Sequence, residues 1–143
     1  MNETKNYPRL LIVDDEAGYR KILAGNLRDE GYEVLEASNL AAARTLLQKG
    51  GIELALVDYE LEAEPDGMKH RGTELLQAPG HPLPPVVMIT NKVGLSEAAQ
   101  AGKLGVGDFL DKRDTNERIL AVIKSQLHMG KLLHDRMDQF TMK

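Results

Sequence analysis

Residues 9–15 read RLLIVDD: one arginine, four apolar residues, then two adjacent carboxylates. An apolar run this short, ending in β-branched residues and stopped by Asp, reads as a β-strand delivering acids to its carboxyl end. Apolar segments of the same kind recur at Tyr32–Glu36, Ile52–Tyr59, Val86–Thr90 and Val106–Asp111, each bounded by Gly, Asp, Asn or Pro. Between them the spacing becomes helical. Ala17–Glu30 carries Ile22, Leu23 and Leu27, and Ser38–Lys49 carries Leu40, Ala43, Leu46 and Leu47. Gly72–Gln77 and Leu95–Leu104 are shorter helical candidates. Asp114 and Glu117 have the spacing of a capping box ahead of Ile119, Leu120, Ile123 and Leu127.

Strand followed by helix, five times over, predicts an α/β domain: a doubly wound five-stranded parallel sheet with helices on both faces. In such sheets ligands bind beyond the carboxyl ends of the strands, where strand order reverses. Those ends carry Asp14 and Asp15, Asp58, Thr90 and Lys112. Three converging carboxylates would repel one another and raise a pKa unless a cation sits between them. A set of hard oxygen donors suits Mg2+, which keeps several waters and accepts phosphate oxygens, better than zinc or copper. Each residue alone has a plainer explanation. Asp14 and Asp15 could simply shape a turn and cap a helix, Thr90 could be a strand former, and Lys112 a solvated charge. Their coincidence at successive strand ends is what chance explains poorly.

The 143 residues, 42% of them hydrophobic, match one domain able to bury a core unaided. There is no cysteine, which excludes disulfides, thiolate zinc sites and cysteine nucleophiles and makes the reducing cytoplasm the expected location. No apolar run approaches the roughly 18 residues of a membrane helix, and Met1–Asn6 lacks the apolar centre of a signal peptide. A formal net charge of −4 argues against direct nucleic-acid binding by this chain.

The motifs LLIVDDE, LALVDYEL, VVMIT and DFLDK together resemble the receiver domain of bacterial response regulators, over Pro8 to about Leu127. The resemblance implies a flavodoxin-like (βα)5 receiver fold, similar to the chemotaxis regulator, in a two-component system. It implies that Asp58 accepts a phosphoryl group from a histidine kinase or phosphotransfer protein in a Mg2+-dependent reaction. By the same resemblance Asp14, Asp15, Asp58 and the backbone carbonyl of Glu60 hold the metal, and Lys112 neutralises phosphoryl charge. Thr90 is the switch hydroxyl and Phe109 the switch aromatic, acting on the surface of the fourth helix, fifth strand and fifth helix. The chain would be a regulator and not an enzyme, with slow autodephosphorylation at most. Hydrogen bonds to charged groups contribute about 1.5–3 kcal/mol each, so Thr90 and Lys112 could bias the active state by about 3–6 kcal/mol.

Several positions depart from the family pattern. The charged loop between Asp58 and Gly72 is long and is expected to be a solvated insertion. Asn91 stands where the family usually has a small residue and would narrow the phosphoryl approach. Glu60 and Lys92 lie where relatives tune hydrolysis, and their opposite charges suggest pairing across the pocket mouth. Arg113 replaces the usual proline, so the Lys112–Arg113 bond should be trans, since a cis bond there costs about 2.5–4 kcal/mol. With the receiver at residues 1–127, the segment 128–143 continues at helical spacing through Leu133, Met137 and Phe140. It is either a frayed extension or a signalling or dimerising helix toward an output domain, with Gly130 an awkward interior residue. The competing readings are a degenerate receiver serving as a binding scaffold and a small phosphohydrolase.

Overall fold

Strand β1 (Arg9–Val13) lies second from one edge of the main sheet, with β2 (Glu33–Ala37) on one side and β3 (Leu54–Asp58) on the other. The computed structural model describes residues 7–61, 66–77, 82–91 and 100–141, with side chains in the last segment as far as Arg136. Met1–Asn6, Lys92, residues 95–99 of the expected fourth helix, and the side chains of Met137 and Phe140 lie outside the described residues. Beyond β3 the chain forms a short hairpin, β4 (Glu60–Leu61) and β5 (His70–Arg71), then a 3-10 helix over Gly72–Leu76. Strands β6 (Val86–Thr90) and β7 (Asp108–Asp111) complete a parallel sheet of order β2-β1-β3-β6-β7. Its helices are α1 (Ala17–Asp29), α2 (Leu40–Gln48) and the long α3 (Asn116–Thr141), with a helical turn at residues 100–103.

The period-2 alternation of the strands sorts the core into two layers. Leu10, Ile12, Leu54 and Leu56 face one way, onto Leu23 and Leu27 of α1 and Ile119 and Ile123 of α3. Leu11, Val13, Ala55 and Val57 face the other, onto Leu40, Ala43 and Leu47 of α2 and Leu75 of the 3-10 helix. Both faces of β3 are covered, and all five of its residues are buried. Each such aliphatic side chain contributes about 1.5–3 kcal/mol relative to exposure. The doubly wound five-stranded sheet is thus as expected.

The differences are local. The segment after Asp58, expected as a solvated loop, instead folds back as β4–β5, with Leu61 fully buried in the α2-side core. The third helical candidate is a 3-10 helix. The cap of α3 is Thr115, whose hydroxyl accepts from the Arg118 N–H, and not Asp114, whose carboxylate is taken by the Asp111 N–H. Gly130 is accommodated because Pro85 packs where its side chain would be: a Cβ there would lie 3.0 Å from Pro85 Cγ. Helix α3 therefore runs unbroken past Leu127 to Thr141, presenting Met129, Leu132 and Leu133 to solvent. No described peptide bond is cis, so Lys112–Arg113 is trans as expected.

Candidate functional site

Strand order reverses between β1 and β3, and the register there sets the site. Val13 pairs with Val57, so the next residues, Asp14 and Asp58, stand side by side at the carboxyl edge. Asp58 pairs with Ile89, which brings Thr90 one residue beyond it, and Thr90 pairs with Asp111, the neighbour of Lys112. The Lys112 N–H donates to the Thr90 carbonyl at 2.9 Å, prolonging the ladder past the end of β7.

Asp14 and Asp58 are held alike. Asp14 Oδ1 accepts from the Glu16 N–H at 2.8 Å, and Asp58 Oδ1 accepts from the Glu60 N–H at 3.2 Å. Each backbone donor lies two residues on, an Asx turn that fixes one oxygen and frees the other. The second oxygens converge on Lys112, whose Nζ lies 2.8 Å from Asp14 Oδ2 and 3.0 Å from Asp58 Oδ2. All three side chains are buried, that of Lys112 being 3% exposed. Asp15 joins Asp14 and Asp58, the three offering oxygens within 4.8 Å of one another.

Burial and the Asp14 charge push the Asp58 carboxyl up to about 7, against the contacts from Lys112 and the Glu60 N–H. Burial pulls the Lys112 ammonium down, but the two aspartates outweigh it and hold the lysine above its ordinary value. One buried cation therefore faces more negative charge than it can neutralise. Asp14 Oδ2 lies 2.8 Å from the ammonium, but off the line of a well-aligned hydrogen bond. A buried carboxylate oxygen so placed, with two other carboxylates within reach, fits a hard divalent cation.

Around this centre, Glu60 is exposed, and its backbone serves the site. The Gly72 N–H donates to the Tyr59 carbonyl at 2.8 Å, making Glu60–Arg71 a non-hydrogen-bonded pair. The Glu60 N–H and C=O thus turn away from β5, and the N–H meets Asp58 Oδ1. Thr90 is buried, whereas Asn91 is exposed and reaches back to Glu16, its Nδ2 donating to Oε1 at 3.4 Å. Glu16 Oε2 lies 3.6 Å from Lys112 Nζ. Phe109, half-buried, packs on Tyr59 with ring centroids 6.3 Å apart, and the Arg71 guanidinium covers the Tyr59 ring at 4.9 Å. The proposed Glu60–Lys92 pairing lies partly outside the described residues.

Three contributors escape a reading of the sequence. Gly72 is one: a Cβ there would overlap the Asp58 carbonyl oxygen and lie 2.7 Å from Val57 Cγ1. Glu16, bridging Lys112 and Asn91, is the second. The third is Tyr19, whose ring lies 4.9 Å below Lys112 Nζ. Burial raises its hydroxyl to about 12.

A flavodoxin-like sheet with an acidic pocket and a buried lysine at its switch point defines an α/β domain of the chemotaxis-regulator kind. The model of the response regulator receiver domain matches residues 10–124. The chain belongs to this family. It is 30% identical over 130 residues to a putative response regulator, NtrX-like, of Rickettsia felis, an alignment covering 90% of this chain and 27% of that protein. The crystal structure of NtrX from Brucella abortus superposes with a TM-score of 0.82 at 29% identity, over 94% of this chain and 30% of that one. A response regulator from Burkholderia pseudomallei, crystallised with a phosphorylated aspartic acid, calcium ion and citrate, gives a TM-score of 0.72 at 25% identity. That match covers 89% of this chain and 72% of that one. The chain spans about a quarter of the Rickettsia protein's length.

Proposed function

We propose that this receiver domain is switched by phosphorylation of Asp58, in a reaction needing Mg2+ held by Asp14, Asp15, Asp58 and the Glu60 carbonyl. The observation that carries the reading is the shared ammonium: Lys112 Nζ lies within 3.0 Å of both buried aspartates, poised beside the oxygen that would accept phosphorus. An Asp58 oxygen attacks the phosphorus of a phosphohistidine on a kinase or phosphotransfer protein. A P–O bond forms, the P–N bond breaks, and the imidazole leaves with a proton. Mg2+, when bound, supplies charge neutralisation on the transferring oxygens. Lys112 adds a second positive charge there, and the Thr90 hydroxyl donates to the product phosphate. The phosphorylated aspartate of the Burkholderia relative supports the same chemistry here.

Movement of Thr90 toward the phosphate would vacate space for Phe109 to turn inward, altering the surface of α3 and β7 that partners read. On this reading the receiver unit is residues 1–127, and 128–143 is a C-terminal helical extension or linker, either frayed or signalling toward an output domain or a second copy. Cytoplasmic location fits a kinase partner, and no described helix is long and apolar enough to cross a membrane. Incubation with a small phosphodonor and Mg2+, read by intact mass, tests the proposal. One phosphoryl adduct, absent in Asp58→Asn, is expected, and an unmodified wild type overturns it. The alternative of a binding scaffold draws on the Asn91–Glu16 contact, which crosses the pocket mouth. It predicts no adduct in wild type and a normal adduct rate in Asn91→Ala.

A further inference from the structure

Tyr19 stands at the start of α1, five residues after Asp14, and its ring face lies 4.9 Å from Lys112 Nζ. That is within the roughly 6 Å at which an aromatic quadrupole attracts an ammonium. The hydroxyl is buried without a hydrogen-bond partner, so the ring and not the oxygen is what this residue offers its neighbours. The other groups around the ammonium are Asp14, Asp58 and, more distantly, Glu16. Asp14 and Asp58 are also members of the carboxylate group that could hold a metal ion. A hard cation therefore competes with Lys112 for the oxygens that hold it. It cannot compete for the ring, because Mg2+ binds oxygen and keeps its waters.

We infer that Tyr19 is the positioning residue of Lys112, its ring face keeping the ammonium in the pocket when the aspartates turn to the metal. The inference rests on the phosphoacceptor reading and deepens it. Without the ring, a lysine released by its carboxylates has a flexible stem and solvent as its alternative, and spends less time beside Asp58. A cation–π contact shifts such a balance roughly twofold when exposed to about thirtyfold when desolvated. The contact links a helix residue to one 93 positions later, so it appears only in the folded chain.

The test compares wild type, Tyr19→Phe and Tyr19→Leu in three measurements. These are the rate of adduct formation with a small phosphodonor, Mg2+ affinity by calorimetry, and the rate of Lys112 reductive methylation with Mg2+ present. In Tyr19→Leu the adduct rate should fall about tenfold, methylation of Lys112 should quicken, and Mg2+ affinity should hold or rise. Tyr19→Phe, which keeps the ring, should restore both rates toward wild type. A merely structural tyrosine would instead weaken Mg2+ binding in parallel with the adduct rate, and that result overturns the inference. So does a Tyr19→Leu protein whose Lys112 is methylated no faster than wild type. If wild type accepts no phosphoryl group, the proposed function fails, while the methylation and Mg2+ arms still decide the role of Tyr19.

Discussion

Replacing Asp58 by Asn should stabilise the metal-free protein, and by an amount that depends on pH. In the fold the Asp58 carboxyl is raised from 3.8 to about 7, by burial first and by the Asp14 charge second, with Lys112 opposing. Between these values the folded state holds a proton that the unfolded chain has released. Stability is therefore fully present below the unfolded value of 3.8 and is lost as pH rises through about 7. At about 1.36 kcal/mol per unit, the buried Asp58 carboxyl costs the fold up to about 4 kcal/mol near pH 8, where it is ionised, and less than half of that near pH 5, where folding must take up a proton. Asparagine resembles the protonated acid and escapes both costs. For a chain of this size about 1 kcal/mol moves the midpoint by about 3–4 °C, so Asp58→Asn should melt up to about 12–16 °C above wild type near pH 8. Near pH 5 the gain should be less than half of that. Thermal unfolding followed by circular dichroism in EDTA, at four values across this range, measures it. On the proposed metal assignment, saturating Mg2+, at about 100 times its Kd, should return about 2.7 kcal/mol to wild type and less to the variant, which lacks one of the proposed ligands. A melting difference that is the same at both ends of the range refutes the reasoning, as does a wild type that melts higher near pH 8.

Gly72→Ala should destabilise by about 1–3 kcal/mol or more, because its methyl group meets the Asp58 carbonyl and Val57, both main supports of the site. Urea unfolding reads the loss, and an unchanged midpoint would show that the backbone yields freely. Leu61→Ala should cost about 2–5 kcal/mol, since this fully buried side chain anchors β4 to the α2-side core. A cost below about 1 kcal/mol would return the hairpin to the status of a solvated loop. His70 sits between Glu74 and Asp66, at 3.0 and 2.7 Å, and their hydrogen bonds, Glu74 first, raise its pKa above the ordinary 6.5. The stability it contributes is present below 6.5 and is lost as pH rises through the raised value. Ring resonances of His70 followed by NMR should titrate above 6.5, and Glu74→Gln should lower the midpoint. A wild-type midpoint at or below 6.5 contradicts the pairing.

What the sequence made legible differs from what it hid in the range over which each position is decided. Strands β1 and β6 are apolar apart from Arg9 opening the one and Thr90 closing the other, so both read with their observed bounds, Arg9–Val13 and Val86–Thr90. A parallel sheet then carries the residue after each strand to one edge. That is why Asp14, Asp58, Thr90 and Lys112 could be grouped before any coordinates. The expected third strand ran from Ile52 to Tyr59, too long because apolar character continues through Tyr59. The observed strand stops at Asp58, whose Oδ1 draws in the Glu60 N–H and turns the chain. The β4–β5 hairpin has two residues per strand, too few for any period to show, and it is held by Leu61 in the core and by Gly72 against Asp58. A glycine opening a helical stretch is equally what turn chemistry asks for, so only the packing behind it reveals its second duty. Capping of α3 moved from Asp114 to Thr115 because the Asp111 N–H, three residues upstream, claimed the better acceptor. Tyr19 shows the limit most clearly. Helical spacing places it with the half-buried face of α1, and nothing nearby distinguishes a ring that packs from a ring that holds an ammonium. Lys112 supplies that distinction, and it arrives only after four further strands of the main sheet have been laid down.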